Sequence, residues 1–115
     1  MTIKASQEIG VLKAKAGQAV RLLRLLANEN RLLLLCHLGG EGEMTVKQLA
    51  EAVGLSQPAV SQHLAMFRAE GLVATRKESQ AVFYRLTDTK AARVLMLLRE
   101  LYCQPAAERK TRKKS

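Results

Sequence analysis

A chain of 115 residues with 19 basic against 10 acidic side chains, a formal charge of +9 and a pI near 10.1 has room for one domain and favours a polyanionic partner, nucleic acid above all. No apolar run approaches the ~20 residues that span a bilayer, and the N-terminus lacks the pattern of a secretion signal. The expectation is a cytoplasmic protein with no membrane association, whose thiols are kept reduced. Hydrophobic residues make up 48% of the chain, yet only two Tyr and two Phe are aromatic, which favours helix over sheet.

From about Gln7 to Leu26, apolar residues recur as Ile9, Leu12, Ala16, Ala19, Val20, Leu23 and Leu26, the spacing of a helix with one apolar face. A second helix is expected after the N-cap residue Asn28 and is expected to stop at Gly39-Gly40. Its centre, Leu32 to Leu35, is apolar all round and predicts a buried helix. Glu41 to Met44 reads as a loop. Thr45 then caps a short helix, Val46 to Val53, with Gln48 completing a capping box and Gly54 ending it. Ser56 caps the next helix, Pro58 lies in its first turn, and Gly71 ends it.

Along that fourth helix Val60, Leu64 and Phe67 share one side, while Ser61, Gln62 and Ala65 fall on the other. Leu72 to Arg76 and Ala81 to Leu86 read as two strands, with Val82, Tyr84 and Leu86 on one face and Phe83 and Arg85 on the opposite one. The segment Lys77 to Gln80 contains no Gly or Asn, so a projecting loop is expected in place of a two-residue turn. Asp88 or Thr89 opens a last helix. Ala91, Val94, Leu95, Leu98, Leu101 and Tyr102 form its stripe, which Ala92, Met96, Leu97 and Cys103 widen beyond what one small core needs. Residues 1–104 therefore read as one domain, and 105–115, polar and basic, as a disordered tail.

The order is helix, helix, helix-turn-helix, hairpin, helix: a mainly α chain with a β-hairpin wing, the winged helix-turn-helix architecture. In such a motif the second helix enters the major groove, N-terminal residues against base edges. Ser56, Gln57, Ser61 and Gln62 offer hydrogen bonds there, Gln suits adenine, and Ala65 is small enough for close approach. Lys47, Arg68, Arg76, Lys77 and Arg85 are candidates for phosphate contacts, which position the protein without reading sequence. The excess apolar surface of the first and last helices predicts a homodimer joined through them.

Cys36 and Cys103, read from pattern alone, sit in apolar helical settings and suit packing roles. Both lie toward helix C-termini, where the dipole disfavours a thiolate, although Arg99 one turn before Cys103 can offset this. Two cysteines alone make no structural zinc site. His37 adjoins Cys36 but faces elsewhere on the helix, and His63 borders the packed stripe of its own. With no phosphate loop or paired carboxylates, no enzyme and no cofactor are expected.

The segments "LLRLLANENRLLLLCHL", "TVKQLAEAVGLSQPAVSQHLAMFRAEGLVATRKESQAVFYRL" and "LRELYCQ" resemble the ArsR/SmtB family of bacterial repressors over roughly Ala19 to Gln104. Within it, a cysteine in "LLLLC" and another in "LYC" resemble the HlyU/BigR/YgaV/SqrR branch of reactive-sulfur sensors. The resemblance implies a homodimeric regulator that binds a pseudo-palindromic double-stranded DNA operator. It also implies that a persulfide or other oxidant is read by Cys36 and Cys103, which the implied fold brings together in one subunit. A direct disulfide needs Cα atoms within about 7 Å, and each inserted sulfur adds roughly 2 Å of reach, so a polysulfide bridge spans a wider gap. The alternatives are a metal-responsive repressor of the same family and a redox-insensitive regulator with packing cysteines. Against the metal reading, Lys47 to Ala52 has no cysteine and Thr89 to Cys103 no histidine.

Overall fold

A computed structural model describes residues 3–103, with side chains from Gln7 onward; the expected tail lies outside the described residues. The order is α1 (Ile3–Leu26), α2 (Glu29–Glu41), β1 (Glu43–Met44), α3 (Val46–Val53), α4 (Gln57–Ala69), β2 (Val73–Glu78), β3 (Ala81–Leu86) and α5 (Thr89–Tyr102). The chain divides into two compact units, Met1–Leu32 and Leu33–Ser115.

In the first unit α1 begins at Ile3, four residues before the expected start. Its apolar stripe exists but is mostly uncovered: Leu25 and Leu26 are buried, while Ile9, Leu12, Val20 and Leu23 are exposed. The Arg31 guanidinium donates to the Arg24 carbonyl at 3.2 Å, satisfying one of the acceptors that the end of α1 leaves open. Asn28 opens α2 as expected, its Oδ1 accepting from Arg31 N–H at 3.0 Å.

The second unit takes up α2 from Leu33. The helix runs through Gly39-Gly40 and stops at Gly42, whose φ of 93° turns the chain. Glycine lowers helix propensity by roughly 1 kcal/mol against alanine but does not by itself end a helix; the residue in the left-handed region does. Leu34, Leu35 and Leu38 are buried, whereas Leu33 is exposed, so α2 is not buried on all sides. The capping box of α3 and the N-cap of α4 close as the sequence predicts. Thr45 Oγ1 accepts from Gln48 N–H at 3.2 Å and Gln48 Oε1 from Thr45 N–H at 2.9 Å. Gly54, at φ 74°, and Leu55 both donate to the Ala50 carbonyl, and Ser56 Oγ accepts from Ala59 N–H. Val60, Leu64 and Phe67 carry α4 into the core with Leu49, Leu72 and Val73.

Glu43–Met44, expected as loop, is a short strand. It lies against β3, so the wing is a three-stranded antiparallel sheet in the order β1-β3-β2. Met44 pairs with Tyr84 and is buried, which supplies the reason: one apolar residue on the inner face anchors the strand. The hairpin also departs from expectation. Glu78 pairs with Ala81, leaving a two-residue turn at Ser79-Gln80, where Ser79 takes φ 56° without being glycine. The penalty for a non-glycine there, roughly 1–2 kcal/mol, is offset by a β2–β3 ladder paired to its tip. Asp88 Oδ1 accepts from Ala91 N–H at 2.8 Å and starts α5, where Ala91 and Leu95 are buried. No helix among the described residues is long and apolar enough to cross a membrane.

Candidate nucleic-acid interface and cysteine pair

The side of α4 opposite its packed stripe presents Gln57, Ser61, Gln62 and Ala65, all exposed. The packing of Val60, Leu64 and Phe67 fixes which side this is, because residues that share the inner stripe force the intervening positions outward. Ser56 is exposed too, but its hydroxyl already serves as the N-cap acceptor. Neither α3 nor α4 carries an acidic residue in its first turn, so nothing on either helix cancels the positive end of its dipole. Lys47 is exposed in the first turn of α3 and Arg68 in the last turn of α4. His63 is half-buried, its ring stacked near Phe67 with centroids 6.5 Å apart.

On the wing the basic residues part company. Register places Glu43, Arg85 and Ala74 in one row across the sheet, and Arg76 with Phe83 in the next row on that face. Arg76 Nε lies 3.0 Å from Glu43 Oε2, Nη2 lies 2.9 Å from Glu43 Oε1, and Nη1 lies 2.7 Å from Glu78 Oε2. Its guanidinium carbon also sits 4.8 Å from the Phe83 ring centroid. These donors hold the Glu43 carboxyl below its usual range, with the charges of Arg76 and Arg85 adding to the effect and desolvation opposing it. Sequence reading placed Arg76 among the phosphate contacts and missed Glu43 altogether. A two-residue strand has no periodicity to detect, and its partner is 33 positions away. Lys77 and Arg85 are exposed, Lys77 on the opposite face of the sheet from Arg76.

Cys36 on α2 is half-buried, and Cys103 at the end of α5 is exposed; both thiols are free. Burial pushes the Cys36 thiol up, the neighbouring Cys103 thiol pushes the same way, and Arg99 opposes them. Cys103 closes α5 by donating its N–H to the Arg99 carbonyl at 2.8 Å. Cys103, 67 residues further along the sequence, and Arg99 thus both act on the Cys36 thiol. Among the described residues no three His, Cys, Asp or Glu side chains converge in a way that could hold a metal ion.

Residues 28–75 match the family model of bacterial regulatory proteins of the arsR family. The chain is 45% identical to the transcriptional activator HlyU of Vibrio cholerae over 87% of its own length and 92% of that protein's. It is 38% identical to the biofilm growth-associated repressor of Xylella fastidiosa, over 80% of each chain. Among solved structures, reduced HlyU from Vibrio cholerae superposes with a TM-score of 0.76 at 47% identity, covering 81% of this chain and 97% of that one.

Proposed function

The chain belongs to the arsR family of bacterial transcriptional regulators, and from that premise we propose that it is a homodimeric operator-binding protein switched by a bridge between Cys36 and Cys103. Regulators of this family bind DNA and are not enzymes. The exposed polar face of α4 supports base readout by Gln57, Ser61, Gln62 and Ala65, with Ser56 holding the helix start in place. Lys47, Arg68, Lys77 and Arg85 are the phosphate contacts of this reading. A second copy covers the exposed apolar residues of α1 and α5, and two-fold symmetry then sets two α4 helices into successive major grooves.

What supports the switch is that two free thiols share one neighbourhood: Cys103 raises the Cys36 thiol and Arg99 lowers it, so both lie near enough to act on it. Each thiolate takes the outer sulfur of a persulfide RSSH and releases RSH. The terminal sulfur of one cysteine persulfide then attacks the inner sulfur of the other, closing a trisulfide and expelling HS⁻. Attack by a plain thiolate on that inner sulfur closes a disulfide with the same leaving group. Either bridge ties α2 to α5 and lowers operator affinity through the difference between bridged and reduced forms. Because the thiolate is the nucleophile and burial keeps Cys36 protonated, reaction at Cys36 quickens as pH rises.

The test is fluorescence anisotropy on an operator selected from random duplexes, with persulfide donor added and the cysteine peptides then weighed by mass spectrometry. Cys36→Ser and Cys103→Ser are expected to bind as the unmodified protein does and to stay bound after the donor. A Cys36→Ser protein still released by the donor would refute the two-thiol switch.

A further inference from the structure

The outward face of the wing carries two arginines, yet its charge is balanced. Glu43 and Glu78 both engage Arg76, and register sets Arg85 across from Glu43. An exposed ion pair contributes little when its two side chains are free to wander. Here the geometry is fixed from several directions. Two guanidinium nitrogens face the Glu43 carboxylate, the third faces Glu78, and the plane is held over Phe83. The donors that would fork onto a phosphate are already committed.

Glu43 lies two residues before Thr45, the N-cap of α3, so whatever holds Glu43 also holds the entrance to the helix-turn-helix. Arg76 is in β2, the outer strand of the hairpin. The contact spans the sheet from β1 to β2 and passes over β3, which lies between them. We propose that Glu43 and Arg76 form a brace that fixes the wing against the start of the helix-turn-helix, making Arg76 a positioning residue and not a phosphate contact. The brace rests on the DNA-binding reading only for its consequence, since the contact exists within the free chain. Lys77, on the other face of the sheet, and Arg85 then carry the wing's electrostatic contribution to DNA binding.

The two roles for Arg76 differ in what salt and lysine do. A residue that neutralises a phosphate contributes about 0.9 to the slope of log affinity against log salt, and lysine replaces it in that capacity. A forked contact to a carboxylate is lost on change to lysine. The experiment uses the full chain, a fluorescein-labelled mixed-sequence duplex and an operator selected with the unmodified protein, titrated over a potassium chloride series. Amide hydrogen exchange is read in parallel without DNA. Arg76→Lys, Arg76→Gln and Glu43→Gln are each expected to lower the operator-to-mixed-sequence affinity ratio by a similar factor, about tenfold. The pair Arg76→Gln with Glu43→Gln does no worse than either alone. The salt slope stays unchanged in the Arg76 variants and falls in Lys77→Gln. Exchange at Met44, which pairs with Tyr84, quickens in all three single variants.

A reduced slope in Arg76→Gln that Arg76→Lys restores would overturn the brace, as would unaltered exchange at Met44. Faster exchange at Met44 in a protein that binds no duplex would instead overturn the DNA-binding reading and leave the brace standing.

Discussion

Helices α4 and α5 start alike and are covered differently. In each, a side-chain oxygen at the N-cap, Ser56 Oγ or Asp88 Oδ1, accepts the N–H of the residue three positions on. The apolar stripe of α4 then disappears into its own chain, with Val60, Leu64 and Phe67 all at 0% exposure. On α5 only Ala91 and Leu95 are buried, while Met96 stays 60%, Leu97 52% and Leu101 55% exposed. An apolar stripe at helical spacing therefore states that a face wants cover and does not say what covers it. The core of this one chain finishes α4 and so frees its polar side for another molecule. It leaves α5 unfinished, which is the physical argument for a second copy.

The sharpest way to break this contrast is to open the finished helix. Phe67→Ala removes a fully buried ring and is expected to destabilise the chain by about 3–5 kcal/mol in denaturant unfolding. An unshifted midpoint would mean that α4 is not held by that stripe. The corresponding change on α5, Leu97→Lys with Leu101→Lys, should leave the helical circular dichroism intact and weaken self-association by about 2 kcal/mol or more in analytical ultracentrifugation. A dimer that survives both lysines places the interface elsewhere. The smallest effect belongs to the outward side of α4. Gln62→Ala is expected to alter unfolding stability by less than about 0.5 kcal/mol while costing about 1–3 kcal/mol of binding to the operator alone. Equal losses on operator and mixed-sequence duplexes would remove Gln62 from base readout.

Much of this fold is written in neighbouring residues. Thr45 with Gln48, Gly54, Ser56 with Pro58, and Asp88 each act within four positions of where they stand, so the limits of α3 and the starts of α4 and α5 were legible. The polar face of α4 was legible for the same reason, since helical geometry alone turns Ser61, Gln62 and Ala65 away from Val60. The errors fall where one local cue was outweighed by the surrounding backbone or, for β1, by a distant strand. Gly39-Gly40 looks like a stop and is helix, the tip at Ser79-Gln80 looks too poor in glycine for a tight turn and makes one, and Glu43–Met44 looks like loop and is a strand.

The sequence by itself determined the helix-turn-helix, the exposed polar face of α4 and the family to which the chain belongs. These rest on hydrogen bonds and side-chain spacing inside one or two turns of helix. Only the tertiary structure decided that Arg76 is committed to Glu43 and Glu78 and that β1 joins the wing. Each of these is a contact between segments separated by 30 or more residues, apart from the Glu78 bond two positions away. Such contacts depend on where packing of the core carries each segment, and no local preference of the residues involved encodes that position.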